Sequence, residues 1–261
     1  MFKKSFMYGM TALVLGCGAL TALAKNAADY HAAAETGDAE AQFKLGVCYH
    51  FGRGVAKNLK EAVKWYRKAA EQGHPIAQNN LGVCYKSGLG VAKDPEKAVY
   101  WYRKAAEQGY AKAQFELGDC CVRGYGVARD NVEAVQWWRK AAAQGDTKAQ
   151  RALGTCYKYG TFGIAKNLTE AVEWYRKAAE QGDADAQCDL GNCYNNLKDF
   201  EKAVYWWRKA AAQGHTMASC RLGIFYEFGE WKDPEKAVYW YRKAAARGDE
   251  TAKTALKRLG Y

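Results

Sequence analysis

Cysteine is the residue type in this sequence with the widest capacity for chemistry. Five of the nine cysteines stand three residues after a recurring leucine; they are Cys48, Cys84, Cys120, Cys156 and Cys193. Equivalent positions on neighbouring packed helices are separated by roughly 10 Å, whereas a disulfide requires Cα atoms within about 7 Å. These five cysteines are therefore predicted to be buried thiols that pack as small hydrophobic side chains.

Two disulfides remain as an alternative for part of this set. Cys188 and Cys220 stand two residues before the recurring leucine, on the flank opposite the common cysteine position. In a bridge from Cys156 to Cys188, the common cysteine of one repeat would bond to the cysteine that precedes the leucine of the next repeat. A bridge from Cys193 to Cys220 would join the same two positions one repeat further along. Both pairings are kept as predictions beside the buried-thiol interpretation.

Other reactive side chains lack the spacing that metal binding or catalysis requires. The four histidines are scattered, and Cys188 and Cys193 do not have the spacing of zinc ligands. Ser87 and Ser219 belong to no nucleophile motif. The Gly52-x-Gly54 loop follows a predicted helix instead of a strand, which indicates a turn and not a phosphate-binding loop. We expect no catalytic residue, no metal and no cofactor.

These side chains belong to a repeated segment of the sequence. The block Ala-Val-x-Trp-aromatic-Arg-Lys-Ala-Ala occurs six times, and its copies begin at Ala62, Ala98, Ala134, Ala171, Ala203 and Ala237. A Leu-Gly pair recurs in phase with the block, with its leucines at Leu45, Leu81, Leu117, Leu153, Leu190 and Leu222. Repeats of this length are typical of solenoid proteins.

Each repeat is predicted to contain two helices. In the first helix, Ala41, Leu45 and Cys48 form one apolar stripe. The second helix begins after a capping residue such as Asn58 and ends at a glycine such as Gly73, which can adopt the left-handed conformation. Because the apolar surface of the second helix is too wide for one partner helix, the pairs must stack.

Four motifs of the repeat carry a family resemblance. They are Ala41-Gln42-x-x-Leu45-Gly46, Gly52-x-Gly54-Val55, the segment Glu61-Ala62-Val63-x-Trp65-Tyr66-Arg67-Lys68-Ala69-Ala70 and the closing Gly73. Together they resemble the Sel1-like repeat, a relative of the tetratricopeptide repeat. The resemblance implies an all-α, right-handed superhelical solenoid of stacked antiparallel helix pairs that holds other molecules together. It also implies an alternative, because some exported relatives bind or hydrolyse β-lactams.

The first part of the chain has the pattern of an export signal. Residues 1–24 combine basic Lys3 and Lys4, an apolar stretch and a small-x-small site that ends at Ala24, which predicts a signal peptide. A lipoprotein signal that ends before Cys17, with a lipid anchor on that residue, is one alternative, and an uncleaved anchor is another. The protein is therefore expected to be periplasmic or secreted, or else a membrane-anchored lipoprotein.

The remaining chain is predicted to be one elongated array. We expect an N-terminal capping helix over residues 25–37, six repeats over 38–250 and a C-terminal capping helix over 251–261. Repeats five and six depart from the pattern, since repeat five lacks the glycine loop and repeat six carries Trp231 in its place. This irregularity indicates either loop drift toward a terminus or a specialised surface around these two repeats.

Two sets of side chains are candidates for contact with a partner. One arginine per repeat follows the aromatic pair, and the set is Arg67, Arg103, Arg139, Arg176, Arg208 and Arg242. With a net charge of +11 these arginines permit an acidic partner, although a solvated face is the alternative. Four tyrosines of the first helices are candidates for a concave binding surface, with a core position as the alternative: Tyr49, Tyr85, Tyr157 and Tyr194.

The features of the sequence combine into one functional hypothesis. It is an exported, monomeric and non-catalytic scaffold or adaptor that binds a protein or peptide, including an acidic one, on its concave surface. No nucleic-acid recognition module is visible, so we expect no nucleic acid as partner. The alternative is an envelope protein that binds or hydrolyses a β-lactam or a peptidoglycan fragment.

Overall fold

The computed structural model describes residues 27–261 and consists over that range of α-helices joined by turns. Residues 1–24, with the predicted signal and Cys17, lie outside the described part. The helices are α1 (Ala27–Glu35), α2 (Ala39–Phe51), α3 (Leu59–Glu71), α4 (Pro75–Ser87), α5 (Pro95–Glu107), α6 (Ala111–Arg123), α7 (Asn131–Ala143), α8 (Thr147–Tyr159), α9 (Leu168–Glu180), α10 (Ala184–Asn196), α11 (Phe200–Ala212), α12 (Thr216–Phe228), α13 (Pro234–Ala245) and α14 (Glu250–Arg258). The predicted all-α solenoid of stacked helix pairs is confirmed.

Local signals set the ends of the helices. The Asn58 side chain accepts hydrogen bonds from the backbone N–H groups of Lys60 and Glu61, and so caps α3. The first helices of repeats one to four end at glycines in the left-handed conformation, for example Gly52 with φ of 73°. Second helices are followed by the same conformation, as at Gly73 with φ of 90°. Helix boundaries are thus encoded within a few residues of each end.

The Leu-Gly pair fixes how the two helices of a repeat pack. In repeat two, Leu81 is fully buried and Gly82 faces the ring of Tyr102, which is also fully buried. A Cβ atom at Gly82 would lie 2.7 Å from that ring. The corresponding distance is between 2.5 and 2.7 Å in all six repeats. The glycine and the second aromatic residue therefore recur together because the helices meet through them.

Buried glutamines connect each first helix to the preceding second helix. Gln78 donates from Nε2 to the carbonyl oxygen of Ala70 over 3.0 Å, and the oxygen of the same amide accepts from Gln108 over 2.7 Å. Equivalent bonds are made by Gln42, Gln150 and Gln187. Since both ends of the buried amide are bonded, the polar side chain is accommodated between repeats at little cost.

The contacts of the helices divide the chain into two compact units. One unit covers the described residues up to Ala141, and the other extends over Ala142–Tyr261. Within each unit the contacts run mainly between consecutive helices, such as α2 with α3 and α12 with α13. Such nearest-neighbour contact is the basis of solenoid stability. Over residues 27–261, no helix combines the length and the apolar character that crossing a membrane would require.

Candidate functional site

The first helices of the last three repeats line an open groove in the second unit. The groove has a volume of about 770 Å³ and is bordered by α8, α10 and α12. Its apolar edges include Tyr159 at the end of α8 and Phe228 at the end of α12, which are 62% and 59% exposed. Aromatic side chains that remain this exposed can bury substantial apolar area when a partner covers them.

The central helix of the groove supplies amide side chains. Asn192 accepts a hydrogen bond from the indole N–H of Trp207 over 3.2 Å, so its own amide nitrogen remains available as a donor. Asn196 lies one turn further along α10 and is exposed. Side-chain amides present a donor and an acceptor together, which matches the pattern of an extended peptide backbone.

Charged residues flank these amides. Lys158 forms an ion pair of 3.2 Å with Asp189. Burial lowers the pKa of Lys158, but the carboxylate of Asp189 and the Tyr159 hydroxyl, with smaller contributions from other neighbours, together raise the pKa above its ordinary value. Arg221 on α12 is exposed and takes part in no ion pair with another described residue. The groove therefore presents one cation that is not neutralised by a neighbour.

The tyrosines predicted for the concave surface divide into two groups. Tyr85 and Tyr194 are buried, and their hydroxyl oxygens accept hydrogen bonds from Arg67 over 3.0 Å and Arg176 over 2.9 Å. Tyr85 and Tyr194 therefore occupy core positions, which was the alternative to the predicted concave binding surface. Tyr49 and Tyr157 are partly buried. None of the four is among the residues that line the groove of the second unit.

The predicted arginines mostly join consecutive repeats. Arg208 repeats the bond of Arg67 and Arg176, with the Tyr226 hydroxyl 2.8 Å away. Repeat three has a cysteine at the tyrosine position, and there Arg103 pairs with Glu133 at 2.8 Å. The remaining two are exposed: Arg139, and Arg242, whose guanidinium lies 5.0 Å from the centre of the Tyr261 ring. The constant interval of 18 residues between the bonded arginine and tyrosine was a sequence signal for this contact.

The lysine after each arginine packs on the second helix itself. Lys68 lies 4.1 Å from the centre of the Trp65 ring, and Lys177 lies 4.2 Å from that of Trp174. The other second helices have the same arrangement at distances of up to 5.9 Å. Such cation–π contacts contribute about 0.5–1 kcal/mol at exposed positions. The basic residues of the repeat therefore have structural contacts in addition to their charge.

The cysteines within residues 27–261 are all free and buried. Burial raises the pKa of Cys188 to about 12 and that of Cys193 and Cys220 to about 11, and it also raises the pKa of Cys156. A protonated, buried thiol is a poor nucleophile and a poor metal ligand. Cys156, Cys188, Cys193 and Cys220 are free thiols, so neither predicted disulfide is present in this structure.

The remaining candidates for chemistry are in structural positions. Ser219 is buried and its hydroxyl donates to the carbonyl oxygen of His215, while Ser87 is exposed at the end of α4. The His215 ring caps α12 and lies 3.1 Å from Asp185, a role that the sequence did not suggest. Among the described residues no three His, Cys, Asp or Glu side chains are grouped as a metal site would need.

Comparison with known proteins identifies the repeat. The model of the Sel1 repeat matches residues 39–74, 75–110, 111–146, 147–183, 184–215 and 216–249. The chain belongs to the Sel1 repeat family. Its fold is thus a Sel1 repeat scaffold, a kind of fold that commonly serves protein interaction. No curated protein matches the sequence.

Solved structures of other Sel1 repeat proteins are similar to this one. A protective antigen from uropathogenic Escherichia coli strains, which displays an SLR fold, is 38% identical with a TM-score of 0.82 over 89% of this chain and 51% of that one. This chain thus spans about half the length of the antigen. A Sel1 repeat protein from Oxalobacter formigenes is 41% identical with a TM-score of 0.71, over 79% of this chain and 85% of that one.

Proposed function

We propose that this Sel1 repeat protein is an exported, non-catalytic adaptor that binds an extended segment of a partner protein in the groove of α8, α10 and α12. The observation that carries the proposal is the combination of exposed aromatic edges, amide side chains and one cation without an ion-pair partner on a single surface. Aromatic residues and arginine are the side chains that contribute most to binding at protein interfaces.

The groove assigns a separate task to each kind of side chain. The amides of Asn192 and Asn196 pair with the backbone of the bound segment. Tyr159 and Phe228 enclose an apolar side chain from the two outer helices. Arg221 pairs with a carboxylate, since a guanidinium binds carboxylates through two parallel N–H groups. The bound segment is accordingly an extended peptide with an acidic residue near an apolar one.

Selection from a random peptide library tests this assignment. Peptides selected on the full chain should lose at least tenfold in affinity for Arg221→Glu and for Phe228→Ser, because hot-spot substitutions cost about 2 kcal/mol or more. Tyr100→Ser is the matched control, since Tyr100 is a half-exposed aromatic residue on α5. The proposal would be contradicted if no selected peptide lost affinity for either groove variant.

Export is the second part of the proposed function. Its support is the order of basic, apolar and small residues in positions 1–24. When the full gene is expressed in a bacterial host, intact mass spectrometry of the envelope fraction should find a chain that begins after Ala24, or one acylated at Cys17. An unprocessed chain confined to the cytoplasmic fraction would contradict export.

A further inference from the structure

The second helices of the last two repeats carry two pockets of the same composition. One pocket, of about 440 Å³, lies on α11, and the other, of about 480 Å³, lies on α13. Each is lined by a glutamate, a valine, a tyrosine, an arginine, a lysine and an alanine in the same helical positions. The α13 residues follow their α11 counterparts by 34 positions, as Tyr239 follows Tyr205. The surface therefore repeats with the period of the solenoid.

The side chains of each pocket are held by neighbours of the same helix. Tyr205 and Tyr239 are both 51% exposed, and each ring meets the following tryptophan edge-on at about 5 Å. The ammonium groups of Lys209 and Lys243 lie 5.0 and 4.7 Å from the centres of these tyrosine rings. The buried valines form the floor. Each pocket thus has a fixed aromatic rim and an adjacent cation.

An aromatic residue from beyond the helix closes one side of each pocket. Trp231, in the irregular loop after α12, lines the pocket on α11. Its ring packs edge-on against that of Phe225, with 5.5 Å between the ring centres. Tyr261 serves α13 and lies beneath the Arg242 guanidinium. Both residues are exposed.

The second repeat provides a natural comparison within the first unit. Helix α5 carries Tyr100 at the position of Tyr205, with the same arginine and lysine beyond it. The loop after α6 places Gly126 against the backbone carbonyl of Pro95, at the start of α5. Glu107 stands where α11 has an alanine. Tyr100 therefore lies in the same helix sequence as Tyr205, but a glycine loop and a glutamate stand where the α11 pocket has Trp231 and an alanine.

The charges of the pockets favour an anionic ligand. Each pocket contains one glutamate against an arginine and a lysine, which leaves an excess of one positive charge. Arg208 uses one nitrogen for the Tyr226 hydroxyl, and a guanidinium has five N–H donors. Donors therefore remain for a carboxylate. Tyrosine, tryptophan and arginine are also the residues that most often dominate protein interfaces.

The periodicity of the pockets favours an extended ligand. Successive repeats of a helical solenoid are expected to stack at roughly the 8–10 Å spacing of packed helices. A polyproline II chain has three residues per turn and rises about 3.1 Å per residue, so residues three apart lie on the same side about 9 Å from each other. Such a chain can present the same side chains to both pockets.

We propose that the α11 and α13 pockets together bind an acidic, extended peptide in which an acidic and an apolar residue recur every three positions. The acidic side chain pairs with the arginine of each pocket, and the apolar side chain packs between the tyrosine rim and Trp231 or Tyr261. This site lies on the second helices, whereas the groove of the proposed function is bordered by first helices.

Fluorescence anisotropy with synthetic peptides tests this proposal. The probe is a labelled proline-rich peptide with two Glu-Leu pairs that begin three residues apart, and it is compared with a one-pair peptide. The two-pair peptide should bind the full chain at least tenfold more tightly, because the second contact is intramolecular. Tyr205→Ser and Tyr239→Ser should each reduce its affinity to that of the one-pair peptide. Tyr100→Ser should leave the affinity unchanged.

Three results would overturn the assignment. The first is equal affinity for one-pair and two-pair peptides, and the second is an equal loss of affinity in Tyr100→Ser. The third is binding of polygalacturonate, an acidic polysaccharide, under conditions where the two-pair peptide does not bind. Because Tyr205→Ser and Tyr239→Ser change the pockets on the second helices, whereas Arg221→Glu and Phe228→Ser change the groove, failure here and failure of the proposed function can be distinguished.

Discussion

The glycine of each Leu-Gly pair is the residue on which packing within a repeat depends most directly. At Gly82 a methyl group would meet two carbons of the Tyr102 ring at 2.7 Å and the Ala98 carbonyl oxygen at 3.2 Å. The ring is fully buried and cannot move into solvent. An added methyl group must therefore push the two helices apart.

We expect Gly82→Ala to destabilise the protein by about 1–3 kcal/mol, the usual cost of overpacking a core. The measurement is the midpoint of denaturant unfolding, followed by circular dichroism. Ser87→Ala, at an exposed position of the same helix, should change stability by less than about 0.5 kcal/mol. If Tyr102→Leu makes room, Gly82→Ala should cost less in that background. An unchanged midpoint in Gly82→Ala would contradict the packing argument.

At the scale of the helices, the sequence predicted the positions of the helices, because these depend on interactions between residues close together in the chain. Caps such as Asn58 and closing glycines such as Gly73 act within their own turn, so helix positions followed from them. The glutamine bonds were missed because Gln78 was part of a family motif whose polar side chain gave no indication of burial. The sequence alone did not reveal that such a residue is satisfied by a carbonyl group in the preceding repeat.

The candidate sites were less predictable than the helices for a related reason. Tyr194 and Tyr159 are both aromatic residues of first helices, yet only Tyr159 lines the groove. Tyr194 stands four residues after the repeat leucine and Tyr159 stands six residues after it, so the two side chains lie on different faces of their helices. The α11 pocket depends on Trp231, which comes from an irregular loop and has no fixed place in the repeat. For repeats five and six the sequence left loop drift and a specialised surface as alternatives, and it did not specify a face for such a surface.

At the scale of the molecule, stability is expected to be local because contacts run between consecutive helices. Val99 is buried inside α5, where proline removes a helical hydrogen bond and clashes with the preceding turn. We expect Val99→Pro to cost at least about 3 kcal/mol. The cost should be concentrated in repeat two and its neighbours and should not be spread evenly over the first unit.

Native-state hydrogen exchange can measure this distribution. In Val99→Pro the loss of protection should be largest in α5 and in the helices that contact it, α4 and α6, and smaller in α1. Val99→Ala is the control, because it removes buried atoms while it keeps the backbone hydrogen bond, and it should affect α5 less. A loss of equal size in every helix of the first unit would show that the unit unfolds as a whole. In that case the coupling free energy between adjacent repeats would exceed the free energy of unfolding of a single repeat. A nearest-neighbour description with weak coupling would then be wrong for this chain.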